Sequence, residues 1–517
     1  MMNMQFGRLA LTSGCLIFAL AAAANAGDAP PAPKGLEKIE TIVVLYAENR
    51  SFDNLYSRFP GANGLLDFKP SEAPQLDRDG APLPELPPIW GGLTPRGVEP
   101  AVDQERTAHL PNAPFAIDDP KGFNTPLSVP TTDLVHRFYQ NQMQINGGKN
   151  DKFVAYGDSG ALVMGHYEGP NLPLWPIAQR YVLADNFFMG AFGGSFLNHF
   201  FLACACAPRY PGADKSPAKG LISVVDPDGV SLTLDPNAPK SALERIPKFV
   251  RDGALTPDFY AVNTMQPPYQ PSGVKPAPGG DPAYADPDKP STLPPQTELT
   301  IGDLLSAKGV SWAWYAGAWQ VALDGAKVEP NPKFQFHHQP FNYFASIAPG
   351  TAAREEHLRD GGLGGDKFIA AIDTGTLPQV TFYKPQGDLN EHPGYSDVMA
   401  GDEHLANLVA HLEKSPQWAH MVVVITYDEN GGFWDHAAPP KGDRWGPGTR
   451  IPAFIVSPFA KKGFIDHTLY DTSSVLRLIT ERFGLPTLPG LRRRAGAIAA
   501  GGHQLGDLTG ALDLATP

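Results

Sequence analysis

Cysteine is nearly absent: the 517 residues hold three, Cys15, Cys204 and Cys206. That is too few for a disulfide framework. Positive charge is also short, with 41 Lys and Arg against 54 Asp and Glu and a formal net charge of −13. A nucleic-acid binder needs a basic face for phosphates, so that class is excluded. An acidic protein that handled phosphate esters would need a local cation or histidine cluster to reverse the field at its site. Long apolar runs are missing beyond the first, residues 9–24, which Arg8 precedes and the small-x-small pattern Ala24-Asn25-Ala26 follows. A spanning helix needs roughly 20 apolar residues. Residues 1–26 therefore read as a secretory signal, and the expected mature chain is periplasmic or secreted with no transmembrane segment. Cys204 and Cys206 sit in a helix-like stretch where residues two apart face different sides, so they are expected as buried small side chains, not as a bridge.

Glycine and proline, by contrast, are plentiful, at 53 and 54, and the hydrophobic share of 42% is enough for a large core. Proline-rich, weakly periodic stretches at about residues 60–130 and 266–295 read as insertions, the first of which could cover an active site. Between them strands and helices alternate. The expected fold is a single α/β domain, residues 27–517, with a largely parallel central sheet and helices on both faces.

The most informative stretch is Val422-Val423-Val424-Ile425-Thr426-Tyr427-Asp428-Glu429-Asn430-Gly431-Gly432. Its β-branched half suits a strand buried on both faces of a parallel sheet, and two carboxylates stand at its C-terminal end. Ligands bind at that edge of open α/β sheets. Ile42-Val43-Val44-Leu45-Tyr46 repeats the design and ends in Ala47-Glu48-Asn49-Arg50-Ser51-Phe52-Asp53, with Ser51 as the expected cap of a following helix. Taken alone, either carboxylate pair could be turn or capping chemistry.

A third junction is Gly193-Gly194-Ser195-Phe196-Leu197, after a short strand at 181–184 and before an apolar helix. A hydroxyl at a helix N-terminus meets free N–H groups and the positive end of the helix dipole, which suits an anion or an activated nucleophile. An ordinary Ser cap is the bland reading. The segment lacks the second glycine of a G-x-S-x-G elbow, which disfavours an α/β-hydrolase esterase. Gly157-Asp158-Ser159-Gly160 reads as a turn. Further expected elements are helices at 132–145 (carrying His136), 300–307, 366–374 and 397–412, and strands at 310–315 and 379–383. The last strand is expected at 450–457 and the last helix at 473–483. His337, His338 and His392 fall in loops.

Together, Glu48-Asn49-Arg50-Ser51-Phe52-Asp53 and Tyr427-Asp428-Glu429-Asn430-Gly431-Gly432-Phe433-Trp434-Asp435-His436 resemble the bacterial acid phosphatase and phospholipase C family, a branch of the alkaline phosphatase superfamily. The likeness runs from about residue 39 to 483. It implies an alkaline phosphatase-like fold and one divalent metal ion held by Glu48, Asn49, Ser195, Asp428 and Glu429. It implies Ser195 as nucleophile, with His136, His338 and His392 in phosphate contact or acid catalysis, and substrate contacts from Asn49, His136, His337 and His338. The phospholipase C branch typically has Thr at the nucleophile and the acid phosphatase branch has Ser, so the expected activity is an acid phosphatase on phosphate monoesters. Phospholipase C on phosphatidylcholine-like phospholipid is the alternative, and a non-catalytic secreted metal- or phosphate-binding protein is the alternative of another class.

Overall fold

The two apolar runs that end in carboxylates pair with each other at the centre of the sheet. In the computed structural model, which describes residues 34–72, 74–325 and 333–515, the main sheet has eight strands. They are β1 (Thr41–Ala47), β2 (Val182–Ala184), β3 (Trp312–Gly317), β4 (Leu358–Gly362), β5 (Val380–Lys384), β6 (Met421–Tyr427), β7 (Ala453–Val456) and β8 (Phe464–Asp466). Their spatial order is β8-β2-β7-β6-β1-β5-β3-β4. Every pairing is parallel except those of β7, which runs antiparallel to both β6 and β2. All seven residues of β1 and all seven of β6 are buried. Side chains alternate between faces along a strand, so burial of every position requires cover on both faces. Each fully buried Val or Ile there stabilises the fold by roughly 1.5–3 kcal/mol.

The helices that bear on the site or correct the sequence reading are α1 (Phe52–Tyr56), α2 (Phe138–Ile145), α3 (Ser195–Cys204), α4 (Ile301–Lys308), α5 (Asp366–Asp373), α6 (Val398–Leu412), α7 (Thr472–Phe483) and α8 (Pro489–Ala500). Ser51 caps α1 by accepting from the Asn54 amide at 3.2 Å. Thr300 and Asp303 form a reciprocal capping box at the start of α4. The expected signal, residues 1–26, lies outside the described residues. No helix among the described residues is long and apolar enough to cross a membrane.

Four expectations change. Helix α2 begins at Phe138, six residues later than the spacing implied, because the backbone of 136–138 is laid flat against Gly193 and Gly194. A Cβ on Gly193 would stand 2.4 Å from the Phe138 nitrogen and one on Gly194 2.6 Å from the His136 carbonyl oxygen. β7 is not the last strand and α7 not the last helix, since β8 and α8 follow. Pro489 opens α8 at a position where its missing N–H costs nothing. The loops of 60–130 pack their own apolar side chains, among them Leu86, Ile89 and Leu93, into the core, and none of their described residues lines the candidate-site cavity described below. Finally, Cys204 and Cys206 are joined by a disulfide with Cα atoms 5.1 Å apart. The helix ends at Cys204, and Ala205 takes left-handed angles (φ 47, ψ 42) that turn Cys206 back beside it.

Arg450 ties the loop after β6 to α1. Its Nε donates to Asp435 Oδ1 and its Nη2 to Asp53 Oδ1, each at 3.0 Å, while His436 Nδ1 lies 2.7 Å from Asp53 Oδ2. Burial pushes the Asp53 carboxyl up, but His436 and Arg450 outweigh it and its pKa is lowered. Burial likewise opposes the His436 cation, yet Asp53 raises its pKa. The depressed Asp53 contributes stability above its unfolded pKa of about 3.9, and the raised His436 contributes fully below its unfolded pKa of about 6.5. The stability lost in His436→Ala should therefore be greatest between about pH 4 and 6.5 and shrink above that window, as urea denaturation at several pH values would measure. Arg450→Met, which strands two buried carboxylates, should cost about 3–5 kcal/mol.

Candidate active site

Strand register puts the acidic residues side by side. β1 and β6 pair in parallel with Ala47 opposite Tyr427, so Glu48 and Asp428 leave the same sheet edge as neighbours. Asn49 follows with φ 64, a left-handed conformation that asparagine tolerates, and its amide donates to Asp428 Oδ1 at 3.1 Å. The Arg50 amide then bonds to the Glu429 carbonyl at 3.0 Å, closing one loop on the other. Gly431 (φ 62) lies against the Asn49 carbonyl so closely that a Cβ would stand 2.1 Å from its oxygen. The Gly-Gly after the carboxylates is thus a fitted contact between the two loops.

Ser195 completes the group. It is the first residue of α3, and the cap position belongs to Gly194, which has no side chain to cap with. The serine hydroxyl is therefore not used up as a cap. It donates to Asn49 Oδ1 at 3.4 Å, and its nearness counteracts the upward push of burial on the Asp428 carboxyl. His136 Nε2 lies 3.4 Å from Asn49 Nδ2 and 3.9 Å from Glu429 Oε1. Ser195, His136, His337 and His392 all line one cavity of about 520 Å³, together with Asp133 and Tyr395. His338 does not line it. It stands behind, with Nε2 against Glu48 Oε1, and its ring stacks on His199 at 5.7 Å.

The electrostatics follow from packing three carboxylates out of water. Burial pushes Asp428 up to about 6, against the pull of a nearby lysine, Lys384, and pushes Glu429 up against the pull of His136. Burial opposes ionisation of Glu48 as well, but His338 and Lys384 hold its pKa well below the usual range. His136 goes up to about 9, since Glu429 and Asp133 outweigh its burial. His337, His338 and His392 are lowered, burial being the largest cause in each. Glu48 Oε1, Asp428 Oδ2 and Glu429 Oε1 are buried and accept no hydrogen bond among the described residues. Orphaned carboxylate oxygens beside an amide oxygen and a hydroxyl fit a hard divalent cation. Glu48, His337 and His338 also offer ligand atoms within 4.8 Å of one another, as do Asp133, His136 and His392.

A family model described as Phosphoesterase family matches residues 39–486. The chain belongs to the Phosphoesterase family. Among curated relatives, Phospholipase C B of Mycobacterium tuberculosis (strain CDC 1551 / Oshkosh) is 24% identical, with 95% of this chain and 81% of the relative covered. The non-hemolytic phospholipase C of Pseudomonas aeruginosa is 27% identical over 41% of this chain and 34% of its own length. A solved structure of a protein in the alkaline phosphatase superfamily from Vibrio parahaemolyticus matches with a TM-score of 0.31 and 10% identity, covering 74% of this chain and 68% of that one. The relatives and the family together support a phosphoric ester hydrolase.

Sequence reasoning missed several side chains of this candidate site. Lys384 is fully buried at the C-terminal edge of β5, and a lysine ending an apolar strand was the available signal. His199, one helical turn after Ser195, lies with Nδ1 3.8 Å from Asp428 Oδ2. Asn390 Nδ2 and Tyr395 OH both donate to Glu48 Oε2, the second at 3.1 Å. Gly194→Ala should force the 133–138 segment away from Ser195. Misplacement of about 1 Å costs roughly 10²-fold, so kcat/KM for an aryl phosphate should fall by about that factor with the circular dichroism spectrum unchanged. Activity within about threefold of wild type would mean that the close backbone approach is not needed.

Proposed function

We propose that the chain is a periplasmic or secreted phosphomonoesterase that acts at acid pH through a phosphoserine at Ser195. The observation that carries this reading is the Ser195 hydroxyl at the start of α3, not used as a cap, bonded to Asn49 and open to a cavity lined by three histidines. Glu48, Asn49, Ser195, Asp428 and Glu429 would hold one divalent ion. Such an ion, when bound, favours the serine alkoxide and offsets charge on a phosphoryl oxygen. Ser195 Oγ attacks phosphorus in line with the ester oxygen. The hydroxyl proton leaves to solvent in the cavity as the alkoxide forms. The P–O ester bond breaks as His392 gives a proton to the departing alcohol. Water then hydrolyses the phosphoserine and frees phosphate.

Burial sets the pH dependence. His392 is held below the ordinary imidazole value of about 6.5, so a step that needs its proton runs only on the acid side. With His392 charged, turnover is present below its pKa and lost as pH rises through it.

A second reading is favoured by the relatives, whose printed names are phospholipases C: the same site would then act on a phospholipid. The serine, where the phospholipase C branch typically carries threonine, supports the monoester reading instead. Measuring phosphocholine released from phosphatidylcholine vesicles beside phosphate released from soluble monoesters separates the two.

For the nucleophile, Ser195→Ala should lose roughly 10³- to 10⁶-fold in kcat on an aryl phosphate. A variant that keeps most of its turnover would remove Ser195 from the mechanism. His392→Gln should lower kcat by about 10²- to 10⁴-fold and flatten the alkaline limb of the pH profile. An unchanged limb would assign the acid elsewhere.

A further inference from the structure

His392 owes its place in the cavity wall to the residue before it. Glu391 stands at φ 77, a left-handed backbone that a residue with a long side chain rarely adopts. Two groups from the signature segments hold it there. Arg50 donates to the Glu391 carbonyl from Nε at 3.0 Å and from Nη2 at 2.6 Å. Tyr427, the last residue of β6, donates its hydroxyl to the Glu391 carboxyl, whose oxygens lie 2.9 and 3.1 Å away. To reach it the side chain passes over Gly401 of α6, where a Cβ would stand 2.4 Å from Glu391 Cγ. Both Glu391 and Tyr427 are fully buried, and neither lines the cavity. Past this point the chain closes on itself. The Glu391 amide donates to Ser396 Oγ at 3.3 Å, the Ser396 amide to the His392 carbonyl at 3.0 Å, and the His392 amide to Asn390 Oδ1 at 3.0 Å. The His392 ring packs on Tyr395 with 4.4 Å between ring centres, and its Nδ1 lies 2.6 Å from the Pro393 carbonyl. A carbonyl can only accept, so Nδ1 keeps its hydrogen and Nε2 is the nitrogen left for proton transfer.

We infer that Glu391 is a positioning residue: clamped by Arg50 and Tyr427, it fixes the left-handed turn that presents His392 to the cavity. This inference rests on the reading of His392 as the acid for the departing alcohol. A residue needed only to make the turn would be glycine or asparagine, which take positive φ readily. Glutamate is strained there, and such strain persists where surrounding contacts over-determine the backbone, as they do at functional sites. What glutamate adds is a carboxyl long enough to reach Tyr427, the residue just before Asp428. The turn is thereby tied to the strand end that carries the acidic group, and the His392 loop and the Asp428 loop keep one fixed spacing. Burial and the Asp402 carboxyl push the Glu391 pKa well up. In the acid range Glu391 is thus a neutral carboxylic acid, whose shape glutamine copies.

Leaving-group dependence tests it. Nitrophenolate departs with little need of a proton and an alkoxide needs one, so a misaimed acid penalises alkyl esters most. In Glu391→Ala, kcat/KM for β-glycerol phosphate should fall by about 10²-fold, and that for para-nitrophenyl phosphate by at least about tenfold less. Glu391→Gln should stay near wild type on both. Tyr427→Phe keeps the ring and loses the hydroxyl, and should show the same bias between the esters should the alanine variant not fold. The side-chain nitrogen–proton NMR correlation of His392, assigned by its absence from His392→Gln, should move in Glu391→Ala and stay in Glu391→Gln. An equal loss on the two esters would make Glu391 a core residue only and overturn the inference, as would an unmoved His392 signal in Glu391→Ala. If His392→Gln itself shows no bias against the alkyl ester, His392 is not the acid, and the NMR signal then decides for or against Glu391.

Discussion

The parallel pairing of β1 with β6 is the constraint on which the rest depends. Because Ala47 stands opposite Tyr427, the next residue of each strand is a carboxylate and the two leave the sheet side by side. A slip of one residue would turn the β-branched side chains of a strand to the other face. Both faces are buried here, so the apolar pattern alone would not forbid it. What fixes the register is the loop beyond, where the Asn49 amide binds Asp428, the Arg50 amide binds the Glu429 carbonyl, and Gly431 leaves room for Asn49.

The second requirement is access. Carboxylates with no exposure are chemically useful only if a reacting group reaches them from the solvent side, and α3 supplies that group. Gly193 and Gly194 let the 136–138 backbone lie across the start of α3, which brings His136 beside Asn49 while Ser195 stays on the cavity wall. The same contact explains why α2 does not extend back over 132–137 in spite of helical spacing. A local preference worth a few tenths of a kcal/mol per residue yields to packing of this kind.

The sheet and most of the site were legible because each depends on local pattern. Continuous β-branched runs announced β1 and β6, and carboxylates at their ends announced the edge. Ser51, Thr300 and Asp397 announced helix starts that the structure bears out. What escaped depends on contacts between segments far apart in sequence. Lys384 and His199 look like an ordinary strand end and an ordinary helix turn until the register brings them to Asp428. The disulfide escaped because periodicity describes a helix as continuing, whereas a single left-handed residue, Ala205, reverses the chain between the two cysteines. The histidines were read as one class. Packing divides them, since His136 gains a cationic state from Glu429 and His337, His338 and His392 lose it to burial.

Two buried acidic clusters follow the same two signature segments, and comparison of them separates support from chemistry. Around Arg450, all four carboxylate oxygens of Asp53 and Asp435 receive hydrogen bonds: Asp53 from Arg450 and His436, Asp435 from Arg450, the Asp53 amide and the Ala437 amide. Nothing there is left for a ligand, although Asp53, Asp435 and His436 have the spacing of a metal group. Around Lys384 the protein stops short, leaving one oxygen on each of Glu48, Asp428 and Glu429 without a hydrogen bond. A buried acceptor left unpaired costs about 1–3 kcal/mol, more for a charged group. Lys384 lies 3.0 Å from the Glu48 oxygen and 3.8 Å from that of Asp428, and His136 3.9 Å from that of Glu429, and a bound divalent ion would offset the cost that these leave. The difference between the clusters is therefore one of completeness, and it is the incomplete one that lies behind Ser195 and His136 on the cavity wall.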